Sequence, residues 1–437
     1  FKQKTAYEML RSLVGSEMCI RDRYDWGSSA FSTTVEAAVL PAYFEQVVAA
    51  SLAGNLATVY WGYANALALL ISAVLAPILG SIADYTGGKK RLLTLFAILG
   101  ILATALMVLI DVGDWGLALG LFMLGSIGLG GSYIFYDALL PHVARADDID
   151  YISSKGYALG YLGGGILLAI NIVMIQILFK GSTWGPRLSF LTVAIWWAMF
   201  TLPLLRHVPE PPAQRAGIRA GTNAIAAGFQ RLGQTFRDLR KYRQLFFFLL
   251  AFWLYNDGIG TIIKMATIYG SEIGIGMIDL IGALLLTQFV GIPFSLLFGR
   301  FSARIGTKRA ITLGLGWYTL IAIAGYFMSQ AWHFWALAFA VGMVQGSTQA
   351  LSRSLFGLMA PKARSAEFFG FYDISSKFAG IAGPALFAVV GQLFGSSRLS
   401  IISLILFFIG GIVLLSMVNE REGIRIAEQE NRAMGLA

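Results

Sequence analysis

Charge is what this sequence has least of. Only 13% of its 437 residues are Asp, Glu, Lys or Arg, against about 25% in an ordinary soluble domain. With 57% of residues hydrophobic, a soluble fold would expose large apolar patches. Cysteine is nearly absent too. The single Cys19 excludes a disulfide framework and a multi-cysteine metal site. The three histidines, His142, His207 and His333, do not pair at ligand spacing. There is no HExxH, GxSxG or CxxC, and the GGKK at 87–90 lacks the leading glycine of a phosphate-binding loop. The sequence therefore reads as no enzyme, with no catalytic residue, metal or cofactor assigned. The alternation of a transmembrane barrel is also missing.

Present instead are long apolar runs, each of about 20 residues and enough to cross about 30 Å of hydrocarbon as a helix. Helices satisfy their own backbone, so the expected class is an all-α integral membrane protein. Twelve spans are read, near 25–48, 57–83, 92–110, 115–139, 152–179, 184–205, 244–268, 277–299, 309–328, 332–357, 367–394 and 398–418. With the first span starting inside, the inner connections and the tail, counted with the inner halves of the adjoining spans, hold 24 Lys and Arg, while the outer ones, counted the same way, hold Lys180, Arg187, Lys264 and Arg398. By the positive-inside rule both termini are expected in the cytoplasm. The net charge of +9 thus marks topology, and no nucleic-acid partner is assigned.

A loop at 80–91, GSIADYTGGKKR, recurs at 299–309, GRFSARIGTKR. Gly80, Gly87 and Lys89 map to Gly299, Gly306 and Lys308 at one constant offset. Pro141 maps to Pro361, and Ser153-Ser154-Lys155 to Ser375-Ser376-Lys377, at nearly the same offset. Two six-helix bundles of parallel repeats are the layout of a transporter. The expected domains are a bundle at 24–206, a linker at 207–243, a bundle at 244–420 and a tail at 421–437. In the linker, Ile225, Phe229, Leu232, Phe236 and Leu239 recur on one helical face with Arg231, Arg237, Arg240 and Lys241 mostly off it. That is an amphipathic helix on the cytoplasmic leaflet. Residues 1–23 do not fit. They are polar, lack a signal-peptide core, and end in SEMCIRDR, which resembles sequencing-adapter read-through. They are expected to be a non-native or disordered leader.

The loop resembles the signature between spans 2 and 3 of the major facilitator superfamily. YDWGSSAF at 24–31, ISSKGYALGYLGG at 152–164, YNDGIGTI at 255–262, QGSTQALSRSLF at 345–356 and EFFGFYDISSKFAGIAGP at 367–384 narrow the resemblance to autophagy-linked vacuolar amino-acid effluxers and their bacterial relatives. This implies the major facilitator fold and alternating-access transport of a small solute. It further implies neutral amino acids, export, and residence as a monomer in a bacterial cytoplasmic membrane. The chain departs from the superfamily pattern at Tyr85, at Ala303, in lacking an arginine in span 4, and in lacking an antiporter Gly-Pro motif in span 5. The alternatives are a lipid flippase or membrane-embedded enzyme, and a non-transporting receptor.

Charges inside a membrane are expensive and mark candidate sites. In span 1, Asp25, Ser29, Thr33, Glu36 and Tyr43 form one helical stripe expected to face water or substrate, with Glu36 near mid-depth. Span 7 carries Asn256 and Asp257 near mid-depth, and Lys264 two turns on. The loop offset pairs Glu36 with Asp257. A competing alignment pairs Tyr24-Asp25 with Tyr255-Asn256, and the loop-anchored register is preferred. A buried carboxylate can carry a proton, so proton coupling is considered. The other reading is a structural ion-pair network. In span 10, Gln345 and Gln349 offer donors and acceptors; Arg353 is either an anion site or a snorkelling anchor. Gly156, Gly160 and Gly164 allow close helix approach in span 5, and Gly383-Pro384 is expected to kink span 11. The resemblance makes the loop Gly80, Asp84, Gly87, Lys89, Lys90 and Arg91 a gate, with Asp84 a latch toward Lys377. Ala303 implies that only the first loop latches.

Overall fold

The structure, a computed structural model, describes residues 21–52, 56–213, 241–380, 382–394 and 397–435. The expected linker helix and most of the leader fall outside these residues, as do the side chains of Lys264 and Pro384. Helix α1 runs over 23–48 with two π-helical stretches, Phe31–Ala38 and Phe44–Val48. It is followed by α2 (Leu56–Thr86), α3 (Lys89–Leu106), α4 (Trp115–Val143), α5 (Ile149–Val173, extended by a π turn) and α6 (Trp184–His207). Then come α7 (Arg243–Glu272), α8 (Met277–Ile305), α9 (Thr307–Tyr326) and α10 (Ala331–Met359). Helix α11 is in two pieces, Ser365–Phe378 and Ala382–Phe394, as is α12, Ser397–Ser403 and Ile405–Ser416. A last helix, α13, spans Glu420–Ala433. No strand occurs among the described residues. Among those residues, eight helices are long and apolar enough to cross a membrane. The four other segments read as spans, α1, α9, α10 and α11, are also helical, although each is polar at one end or interrupted.

The chain divides into two compact units, Phe1–Ala144 with Leu159–Gly228, and Arg145–Ala158 with Phe229–Ala437. The sequence-drawn bundles put all of α5 in the first. The first turns of α5 instead group with the second unit. The leader's last residues are part of the first unit. Arg21 and Asp22 are fully buried, and Arg21 donates to the Tyr136 carbonyl at 3.1 Å.

The two copies of the repeated loop fold alike. Gly87 and Gly306 adopt φ of 68° and 93°, a region that disfavours any side chain. Each donates its N–H back into the preceding helix, to Ala83 at 2.9 Å and Ser302 at 2.8 Å. A lysine then caps the C-terminal carbonyls of the last spanning helix of its own unit. Lys90 Nζ donates to Val208, and Lys308 Nζ to Ser416 at 3.0 Å and Val418 at 2.5 Å. A cation there complements the helix dipole and satisfies carbonyls that have no partner in the helix. The first copy adds Glu210, whose carboxylate accepts the Lys90 N–H at 3.0 and 3.1 Å. Burial pushes the Glu210 carboxyl above its usual range, against the opposing pull of the Lys90 and Lys89 amides.

Close approach elsewhere relies on glycine. A methyl on Gly128 of α4 would strike the Gly100 backbone of α3. Helix α11 breaks at 379–380, before the expected Gly383-Pro384 kink. Pro384 has no N–H for the carbonyl four residues back, at Gly380, and that is where helical bonding stops. The tail, for which the sequence predicts no element, forms the helix α13. Its buried Gly423, Ala427, Glu430 and Asn431 lie on one face. Glu430 accepts from Lys241 and from the Tyr242 hydroxyl, both at 2.6 Å. Burial, reinforced by Glu430, pushes the Tyr242 hydroxyl pKa up. Asn431 accepts the Lys362 N–H at 2.8 Å. Helix α13 therefore straps the start of α7 to the α10–α11 connection.

Asp84 forms its ion pair inside its own loop, with Lys89 at 2.8 Å and both side chains buried. Lys377 pairs with Asp373 at 2.7 Å, one turn back on α11. Asp84 and Lys377, the residues assigned to a latch, thus each have a local ion-pair partner. Lys89 also reaches His142 Nε2 of α4 at 3.3 Å. Removing one partner of a buried pair leaves a charge without compensation, a loss of about 3–5 kcal/mol. Asp84→Asn and Lys89→Met should each lower the thermal midpoint of detergent-purified protein sharply, and the double variant should recover part of the loss.

Candidate functional site

In the first unit the polar residues of α1 do not share one face. The π-helical stretches change the angular spacing after residue 30. Asp25 is buried and accepts from the Tyr136 hydroxyl of α4 at 2.6 Å. Glu36, half-buried, accepts from Ser126 of the same helix at 3.3 Å. Ser29 and Thr33 turn toward α5 instead. A methyl on Gly160 would lie 2.6 Å from Ser29 Oγ, and Thr33 donates to the Gly164 carbonyl at 3.2 Å. Tyr43 donates to the Ile110 carbonyl at 3.1 Å. The expected water-facing stripe therefore divides between α4, α5 and the end of α3. Gly160 and Gly164 serve as packing positions for α1.

The second unit has the same design with different chemistry. Tyr24 donates to Ser132 at 2.5 Å, and Tyr255 lies 2.5 Å from Ser352. Ser132 and Ser352 are separated by the same offset that relates Pro141 to Pro361. Gly27 admits Phe200 and Trp197 of α6, and Gly258 admits Phe407 and Phe408 of α12. Tyr24 with Tyr255, and Gly27 with Gly258, share a second and longer offset. The structure therefore selects the register that pairs Asp25 with Asn256. Glu36 and Asp257 are not repeat equivalents. The loop offset misleads because the first half holds extra residues between α1 and the loop, in the π stretches and the 49–55 connection.

Asp257 is fully buried and Asn256 nearly so. Thr261 donates to the Asp257 carbonyl at 2.7 Å. Gly383 of α11 lies against Asp257 and Thr261, and a methyl there would stand 2.9 Å from Asp257 Oδ1. Lys264 is on the same helix two turns on, with its side chain outside the described residues. Gln345 and Gln349 are half-buried, and Gln345 lines a cavity enclosed by α7–α12.

Arg353 neither snorkels nor stands open to an anion. It is 2% exposed and donates to Ser153 Oγ and to the Ser153 carbonyl, both at 2.9 Å, with its guanidinium 4.6 Å from the Tyr157 ring. Ser153 in turn donates to the Ala350 carbonyl at 2.7 Å. One turn earlier on α5, Asp150 accepts from Ser354 and from Thr307, the latter at 2.6 Å. Gly299 lets α8 approach Ser154, whose Oγ would lie 2.6 Å from an added methyl. The second loop copy, Gly299 and Thr307, thus grips the start of α5. Its missing acid at Ala303 is replaced by Asp150. The sequence signal was available in Ser153-Ser154, conspicuous as a repeat, with an acid three residues before it.

Residues 56–428 match the family described as vacuole effluxer Atg22 like. The MFS-type transporter YxiO of Bacillus subtilis is 40% identical over 93% of this chain and 96% of its own. Autophagy-related protein 22-1 of Penicillium rubens is 23% identical over 84% of this chain and 76% of its own. Among solved structures, the proton:xylose symporter XylE superposes with a TM-score of 0.73 at 15% identity, over 96% of this chain and 99% of its own. The human organic anion transporter MFSD10 gives 0.73 at 14%, over 92% and 99%. At such identities the superpositions speak for the fold. This chain belongs to the Atg22-like vacuole effluxer family, as a multi-pass membrane transporter of the major facilitator fold.

Proposed function

We propose that the protein is an alternating-access exporter of neutral amino acids. It acts as a monomer in a bacterial cytoplasmic membrane, with both termini inside. The family's description as effluxers supports the direction, and the bacterial relative supports the location. The cation distribution of the loops supports the orientation. Asp25 and Glu36 on α1, Asn256 and Asp257 on α7, and Gln345 and Gln349 on α10 are the groups assigned to solute and proton. Lys264 is assigned with them as a partner for a carboxylate.

The observation that carries this reading is the grip on α5. Its first turns are held by hydrogen bonds from Arg353, Ser354 and Thr307. Each of these hydrogen bonds involves a buried charged group, Arg353 or Asp150, and is worth about 1.5–3 kcal/mol, so a few of them hold the contact yet can be exchanged for water when it opens. A seal built this way can open and close once per transport cycle. The fork of Arg353 meets two oxygens of Ser153, a geometry that lysine does not reproduce. Arg353→Gln and Arg353→Lys should both lower amino-acid counterflow in proteoliposomes at least tenfold, with monodisperse protein on size exclusion. Wild-type counterflow in both would remove the gate.

Proton coupling is assigned to Glu36 or Asp257. Glu36→Gln or Asp257→Asn should abolish pH-gradient-driven flux while sparing counterflow, which needs no net proton movement. If neither variant alters gradient-driven flux, the coupling assignment is wrong.

A further inference from the structure

The two halves close differently where the chain leaves each bundle. Lys90 and Lys308 are each the second residue of their helix, α3 or α9. Each reaches the carbonyl of a valine just past the last spanning helix of its unit, Val208 or Val418. Two residues after each valine stands a glutamate, Glu210 or Glu420. Glu210 turns back and caps the start of α3, accepting the Lys90 N–H at 3.0 and 3.1 Å. Glu420 does not turn back. It opens α13, behind the N-cap Asn419, and its carboxylate has no hydrogen-bond or ion-pair partner among the described residues.

In the second half an open pocket of about 320 Å³ lies at this exit, lined by Lys308, Met417, Asn419, Glu420 and Arg421. Its side chains carry two positive charges and one negative. Lys308 has three N–H donors. Two of them are engaged, with the Ser416 carbonyl at 3.0 Å and the Val418 carbonyl at 2.5 Å. Arg421 is exposed and has no partner among the described residues. The charge of Glu420 lies at the N-terminus of α13, where the helix dipole favours it. The pocket is therefore one anion short of neutrality. An apolar track leads to it. Leu406, Ile409, Val413 and Met417 are exposed and recur on one face of α12, and Met417 lines the pocket itself.

We propose that this pocket, at the elbow between α12 and α13, holds the phosphodiester of an anionic phospholipid. Lys308 and Arg421 bind the phosphate, and an acyl chain runs along the α12 stripe. A dissolved anion gains nothing from that stripe, whereas a lipid of the cation-rich leaflet fits both parts. The lipid phosphate ties the start of α9 to the chain leaving the second bundle, as Glu210 ties the start of α3 to the chain leaving the first.

Native mass spectrometry of the full-length protein in detergent tests this, by titration with dioleoyl phosphatidylglycerol and dioleoyl phosphatidylcholine. The first phosphatidylglycerol should bind about fivefold more tightly than the first phosphatidylcholine, the scale of an exposed charge pair. Arg421→Gln should remove most of that preference and Arg421→Glu all of it. Glu420→Gln should strengthen it, a gain that misfolding does not mimic. Excess inorganic phosphate should leave the lipid bound. Equal binding of the two lipids by the wild type overturns the site. So does a preference that survives both Arg421 variants, or one that Glu420→Gln does not raise. Displacement by inorganic phosphate makes this a site for the free ion and overturns the lipid assignment.

Discussion

Hydrocarbon offers no hydrogen bonds, and that single constraint organises this molecule. Every polar group placed in a span must find its partner inside the protein. The solutions are visible in pairs. Tyr24 meets Ser132 and Tyr255 meets Ser352. Asp84 meets Lys89 in full burial. Lys90 and Lys308 turn onto the last carbonyls of the closing helices. Three of the cations that set topology, Lys89, Lys90 and Lys308, are also caps and counter-ions.

The duplication repeats these solutions without repeating their chemistry. Both loops turn on a glycine in the left-handed region and cap with a lysine. The first carries its own acid, whereas the second receives Asp150 from the start of α5. The substitution ties the first turns of α5 to the second unit, so a helix that begins in one unit continues into the other along its own length. The same divergence appears deeper in the helices. Asn256 stands where the first half has Asp25. Divergence of this kind lets a pseudo-symmetric scaffold hold an asymmetric solute.

Much of this was legible in the sequence. Apolar runs mark the helices, and two short loops mark the duplication, because hydropathy and glycine-turn chemistry are local properties. The register between halves was not legible from the loops. Extra residues lie in the π stretches of α1 and the connection after it, where no motif marks them, so the loop offset pairs Glu36 with Asp257. The local similarity of Tyr24-Asp25 to Tyr255-Asn256 holds the correct answer, since an aromatic hydroxyl and its buried serine partner move together. The role of Arg353 was hidden for another reason. Its depth fits a snorkelling anchor equally well, and only the position of Ser153, distant in the chain, decides between them. The strap α13 was readable in principle from the spacing of Gly423, Ala427, Glu430 and Asn431. Its many charges mask that face, because they give the segment the look of a solvated tail.

In the proposed mechanism, transport depends on the release of α5 from the second loop copy. Thr307 Oγ1 and the Asp150 carboxylate stand 2.6 Å apart there, so cysteines at both positions lie within reach of a short, reducible thiol cross-linker. The direct measurement is counterflow by Asp150→Cys/Thr307→Cys protein in a Cys19→Ser background, before and after cross-linking. Cross-linking should stop counterflow and a reductant should restore it. Undiminished counterflow by fully cross-linked protein would contradict opening at this contact.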